Sequence, residues 1–191
     1  MTVMTLDLRR FVTTDEDFWE LCSANPEQRL ERTAAGEVII MPPAASDTGM
    51  RGAAIIGPLW QWNRESGLGK AFDSSAGFTL PNGAIRAPDA AWIRRARWDA
   101  LTRQEQARFA PICPDFVVEL RSRSDQLVDV RHKMQEYMEN GARLGWLIDP
   151  QEQRVYIYRP GNALEVLDDP ETVSGDPVLP GFILELGGIF S

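Results

Sequence analysis

Three residues of this 191-residue chain have types and spacing suited to phosphoryl chemistry: Asp89, Glu119 and Lys133. Two neighbouring carboxylates can hold a hard divalent cation through oxygen. An ammonium beside them can position or activate water and stabilise charge developing on a phosphate. Two Pro-Asp pairs precede Glu119, namely Pro88-Asp89 and Pro114-Asp115, and strand geometry chooses between them. The nearly continuous apolar run at Phe116-Val117-Val118 predicts a central strand covered on both faces. Asp115 and Glu119 then share one strand, with Cα atoms roughly 13 Å apart. Carboxylates so separated cannot share one Mg2+, whose oxygen ligands sit at about 2.1 Å. Asp89 lies on a different strand, which sheet pairing can bring alongside Glu119. Asp115 is read as a strand-start residue.

Glu119 ends an apolar strand, where an ionised carboxylate is costly unless a cation or a basic neighbour compensates it. The plainer alternative is solvation, or a pair with Arg121, which faces the same way two residues on. Lys133 falls on the flank of the following helix, in line with Gln126 and Tyr137, and can reach towards the end of that strand. Its alternative is an ordinary flank lysine whose stem covers apolar surface. Glu31 is a possible fourth acidic member, although charges in a hairpin are usually solvated. His132 is the only histidine, so no histidine cluster or triad is available, and it reads as a surface residue. Cys22 and Cys113 are far apart and read as reduced, buried thiols. Neither a P-loop nor a Gly-rich dinucleotide motif occurs.

The elements that must position these residues follow from pattern. Residues 14–25 predict a helix capped by Thr13 or Thr14. Residues 28–33 and 37–41 predict a hairpin around Ala34-Ala35-Gly36. A helix from Ser46 to about Arg64 ends at Gly67 and Gly69. Segments 70–73, 76–80 and 88–93 read as strands, and 94–110 as a polar stretch holding a short helix. Residues 125–141 form the clearest helix, with an apolar stripe of Leu127, Val130, Met134, Tyr137 and Met138. Strands at 144–148 and 153–158 follow, then a Gly-, Pro- and Asp-rich tail with strand-like pieces such as Phe182-Leu186. The expected fold class is α/β: a mixed central sheet flanked by helices, in a single domain of residues 1–191 with a loosely ordered segment 1–12.

Composition limits the function classes. The N-terminus lacks the apolar core of a signal peptide, and no stretch approaches the roughly 18 apolar residues of a membrane span. A cytoplasmic protein is the expectation. The formal net charge of −8 argues against a surface coated for nucleic acid, since phosphate contacts need Lys and Arg. A local basic surface is still open to Arg94, Arg95, Arg97, Arg103, Arg121 and Arg123, with solvated charges the alternative for the first four. Arginine dominates the positive charge, and lysine occurs only at positions 70 and 133.

The strings Arg86-Ala-Pro-Asp89, Cys113-Pro-Asp-Phe-Val-Val-Glu-Leu-Arg-Ser122, Lys133-Met-Gln-Glu-Tyr137 and Gly145-Trp-Leu-Ile-Asp-Pro150 together resemble the Uma-two family of restriction-endonuclease-like proteins. So do Arg29-Leu-Glu31, Gly36-Glu-Val-Ile-Ile-Met-Pro42, Phe72-Asp-Ser-Ser75 and Leu80-Pro-Asn-Gly83. The likeness covers roughly 25 to 190. That family is similar to PD-(D/E)XK nucleases, and the resemblance implies a restriction-endonuclease-like fold. It implies a Mg2+ (or Mn2+) site from Asp89 and Glu119 aided by the Leu120 carbonyl, with the lysine moved onto the next helix as Lys133. Arg121 stands where the general motif carries lysine, and Ser122-Arg123-Ser124 departs from the family's Ser-Pro-Ser. The implied activity is divalent-metal-dependent hydrolysis of DNA phosphodiester bonds, with Glu31 auxiliary and a homodimer possible. The rival readings are a non-catalytic module of the same fold that binds DNA or a protein, and an enzyme for a non-nucleic phosphoester.

Overall fold

The computed structural model describes residues 4–12, 14–41 and 43–191. Thr13, one of the two expected caps, and Pro42 lie outside the described residues.

Strand β1 (Met4–Leu6) is followed by α1 (Asp15–Ala24), which Thr14 caps: Thr14 Oγ1 accepts from Asp17 N at 3.1 Å, and Asp17 accepts from Thr14 N at 2.8 Å. This exchange satisfies amides that a helix start leaves open. Next come β2 (Arg29–Arg32), β3 (Val38–Met41) and the long helix α2 (Ser46–Ser66), which stops at Gly67 in the left-handed conformation at φ 65°. Only glycine adopts that conformation at little cost, so the chain turns there. Strands β4 (Gly69–Asp73), β5 (Phe78–Thr79), β6 (Ile85–Arg86) and β7 (Ala90–Arg94) follow. The polar stretch after them holds two short helices rather than one, α3 (Arg95–Asp99) and α4 (Arg103–Gln106). The remainder runs β8 (Phe116–Leu120), α5 (Leu127–Glu139), β9 (Leu144–Asp149), β10 (Arg154–Tyr158), β11 (Glu165–Asp168), β12 (Thr172–Ser174), β13 (Ile183–Glu185) and α6 (Gly187–Phe190).

Two large sheets result. The central one is mixed, in the order β11-β10-β9-β8-β7-β4, with β8 and β9 parallel and joined through α5. The expected hairpin is part of a second sheet, β1-β3-β2-β6-β5, in which β1, within the segment expected to be loosely ordered, pairs with β3. Buried Arg32 ties this sheet to the rest, donating to the Thr14 and Gly83 carbonyls at 2.9 and 3.0 Å and pairing with Asp15.

Helices cover both faces of the central sheet. Ile55 and Leu59 of α2 pack with Phe116, Val118, Leu120, Trp146 and the C-terminal Phe182, Leu184 and Leu186 on one face. Met134 and Tyr137 of α5 pack with Val117, Leu147, Ala91 and Ile93 on the other. A Cβ at Gly145 of β9 would meet Met134 Cε at 2.4 Å, so glycine there lets α5 approach closely. Among the described residues no helix is long and apolar enough to cross a membrane.

Candidate active site

Alternation along β8 decides which residues can meet. Phe116, Val118 and Leu120 point to the α2 side, so Val117 and Glu119 point beneath α5. Ala90 is opposite Val118 in the antiparallel β7–β8 ladder, which brings the preceding Asp89 level with Glu119. Past the end of β7, the Asp89 side chain takes over the ladder: its Oδ2 accepts from Leu120 N at 2.9 Å. Lys133 reaches inward from α5 and lies 2.8 Å from Glu119 Oε1 and 2.8 Å from Glu31 Oε1. Glu31 arrives from β2 of the second sheet, only 2% exposed. Asp89, Glu119, Lys133 and Glu31 are therefore neighbours, drawn from a turn, a central strand, a helix and a different sheet.

A network surrounds them. Glu31 Oε1 also accepts from Ala87 N at 2.9 Å, and its Oε2 pairs with Arg86 at 3.1 Å. Arg86 is held in turn by Glu136 at 2.6 Å, to which Asn82 donates at 3.0 Å. Tyr137 OH donates to Glu119 Oε1 at 3.0 Å. Arg29 donates to the Ala87 carbonyl at 2.7 Å and approaches Asp89 Oδ1 at 3.4 Å.

The electrostatics separate the two glutamates. Burial works to raise Glu31, but Lys133 and Arg86 outweigh it and hold its carboxyl below the usual range. Burial also raises Glu119; Lys133 opposes it, Asp89 and Glu31 add repulsion, and the carboxyl rises to about 7. Burial works to lower the Lys133 ammonium, yet Glu119 and Glu31 prevail and hold it above its ordinary value, firmly protonated. Tyr137 is pushed well up, by burial first and then by Glu119 and Glu31, which fixes it as a hydrogen-bond donor.

Several expectations change. Arg121 does not pair with Glu119; its guanidinium lies 2.7 Å from buried Asp149 and donates to the Asp125 carbonyl. The six arginines do not gather into one phosphate surface. Arg94, Arg95 and Arg97 lie at the far end of β7, about 17 Å along the strand from Asp89. There Arg97 pairs with Asp115 at 3.0 Å and Arg95 donates to the Gly67 carbonyl at 2.9 Å. Glu31, expected on a weak signal as a possible fourth acidic member, is buried at the centre of the network because β2 pairs with β6 rather than facing water. His132 is exposed and Cys113 is buried, as expected, while Cys22 is half-buried. Pattern alone assigns no site role to Arg29, Arg86, Glu136 or Tyr137. Arg29 does carry a signal: two residues from Glu31 on one strand, it shares that face.

The family model of Uma2, described as "Putative restriction endonuclease", matches residues 15–187. The chain belongs to the Uma2 family. Its fold is that of a solved Anabaena variabilis ATCC 29413 protein described as "a putative nuclease belonging to DUF820". The two superpose with a TM-score of 0.76 at 24% identity, covering 93% of this chain and 97% of that one. The restriction-endonuclease-like fold that the resemblance implied is therefore present. No curated protein matches the chain.

In this Uma2 member the donor chemistry fits a small, hard cation. Lys133 and Tyr137 both engage Oε1 of Glu119, leaving Oε2 without a hydrogen bond from the described residues. Leu120 N engages Oδ2 of Asp89, leaving Oδ1 with only the long Arg29 contacts. Each carboxylate thus has one anchored and one available oxygen. Glu31 has both oxygens engaged. Among the described residues no three His, Cys, Asp or Glu side chains gather as a metal-binding group. A site with two carboxylates suits Mg2+, which keeps several waters and takes further oxygens from phosphate.

Proposed function

We propose that this chain is an endonuclease that hydrolyses DNA phosphodiester bonds with Mg2+ or Mn2+. The observation that carries the reading is the partly buried Asp89–Glu119–Lys133 arrangement, in which one oxygen of each acid is firmly anchored. Of the other two, Glu119 Oε2 has no hydrogen bond from the described residues and Asp89 Oδ1 has only the long Arg29 contacts. Asp89 and Glu119 would hold the cation, with the Leu120 carbonyl completing the protein's donor set. When bound, the cation supplies Lewis-acid polarisation of the phosphoryl oxygen.

The chain's own groups supply the rest. Lys133 is kept protonated by Glu119 and Glu31, so it orients the attacking water and stabilises developing negative charge rather than abstracting a proton. Glu31 fixes Lys133 from behind, and Arg86 fixes Glu31. Tyr137 sets the rotation of the Glu119 carboxylate by claiming Oε1. Pure protein should nick plasmid DNA only with a divalent cation present. Asp89→Ala and Lys133→Ala should abolish cleavage; unchanged nicking in either variant would reject the assignment.

The net charge of −8 favours a second reading, a non-catalytic module of the same fold that binds DNA or a protein. Calorimetry with Mn2+ separates the two, because such a module has no need of the cation.

A further inference from the structure

Three cations face the site, and they are not equally bound. Lys133 touches two carboxylates at 2.8 Å each. Arg86 bridges Glu31 and Glu136 at 3.1 and 2.6 Å. Arg29 differs: its one short bond goes to the uncharged Ala87 carbonyl, and both contacts with Asp89 Oδ1 are 3.4 Å long. Its Nε is buried and has no hydrogen-bond partner among the described residues. A buried donor left open costs free energy, so the guanidinium is under-satisfied where it rests. Its side chain is nevertheless 34% exposed, so it borders solvent where Lys133 and Arg86 are enclosed.

The oxygen that Arg29 touches loosely is the one that Asp89 would offer to a divalent cation. An arginine and that cation are competitors for Oδ1. Once displaced, a guanidinium tethered to the Ala87 carbonyl through one Nη2 hydrogen still has the second Nη2 hydrogen and Nη1 to offer along one edge. Its planar fork matches two oxygens of a phosphate group.

We propose that Arg29 is an exchangeable counter-cation: it holds Asp89 while no divalent cation is present, and it binds the phosphodiester once one has displaced it. This inference rests on the nuclease reading and adds a phosphate-binding residue to it. Two affinities should consequently move in opposite directions on removing the guanidinium, which no purely structural role produces.

The test compares wild type with Arg29→Gln and Arg29→Lys. Mn2+ binding is measured by calorimetry without DNA. Binding of a fluorescent DNA duplex is measured by anisotropy in Ca2+. Arg29→Gln should bind Mn2+ about threefold more tightly, since a weak, partly exposed ion pair has been removed. It should bind the duplex about tenfold more weakly, the cost of a charge-assisted hydrogen bond. Arg29→Lys keeps the charge but loses the fork, and should hold Mn2+ near the wild-type affinity while still binding DNA less well. Unchanged affinities in Arg29→Gln would overturn the proposal, as would a fall in both that Arg29→Lys restores, because Arg29 would then merely support the site. Wild-type protein that binds no Mn2+ would reject the nuclease reading itself, and this inference with it.

Discussion

Asp115 and Glu119 stand at the two ends of strand β8, both nearly enclosed at 1% and 7% exposure, and their surroundings are opposite in kind. Asp115 meets donors: Arg94 N at 2.9 Å and the Arg97 guanidinium at 3.0 Å, one on each oxygen. Its own carbonyl accepts from Arg143 and Leu144, so the residue stitches β8 to its neighbours. Glu119 meets a mixture. Lys133 and Tyr137 share one of its oxygens, while Asp89 and Glu31 repel it. A buried acid whose charge is fully matched holds a structure together. One left partly unmatched is poised to accept a further cation.

Exchanging the charges at the two ends should therefore have separable effects. Glu119→Gln should lower cation-dependent plasmid cleavage by about a thousandfold while leaving a folded protein. Asp115→Asn should leave appreciable cleavage but cost about 3 kcal/mol of stability in urea denaturation, because it leaves Arg97 and the Arg94 amide poorly matched. Loss of cleavage without loss of stability at Asp115 would break the contrast.

The pH dependence of the metal-free protein offers a finer comparison. The Glu119 carboxyl is raised to about 7 from an ordinary 4.5, so the fold favours its protonated form. The stability it contributes is fully present below pH 4.5 and is lost as pH rises through about 7. Thermal melts of wild type should show this decline, and Glu119→Gln should flatten it. A melting profile identical in the two proteins would contradict the assigned environment. The smallest effect is expected at Tyr137. Replacing it with Phe removes one donor to Glu119, so the acidic limb of the pH–rate profile should move to higher pH, with the maximal rate changed by less than about tenfold.

Much of this arrangement is legible in the sequence. Strand distance excludes Asp115 as a partner of Glu119, and the pairing of neighbouring strands does bring Asp89 level with Glu119. Helical phase puts Lys133 on a flank, and the fold turns that flank inward. The second sheet is legible only in part. Its hairpin and the strand around β5 follow from pattern, but β6 has two residues, too few to display alternation, and β6 is what turns β2 into an interior strand. Glu31 is consequently readable only as a weak fourth member and Arg86 looks like an ordinary loop charge, and their burial follows from a pairing that local pattern does not encode. The arginines mislead for the converse reason: closeness in sequence hides the fact that a strand's length separates Arg94–Arg97 from Arg121.

The bond between Glu31 and Lys133 spans 102 residues of chain. A chain emerging from the ribosome exposes Glu31 early and Lys133 late, and the cluster closes only after β8 and α5 have been synthesised and docked on the N-terminal sheet. A polypeptide that stalls or is clipped before α5 carries both candidate metal ligands but lacks the ammonium that pairs with Glu119 and Glu31. The long reach of this contact makes synthesis through α5 a precondition for assembling the site.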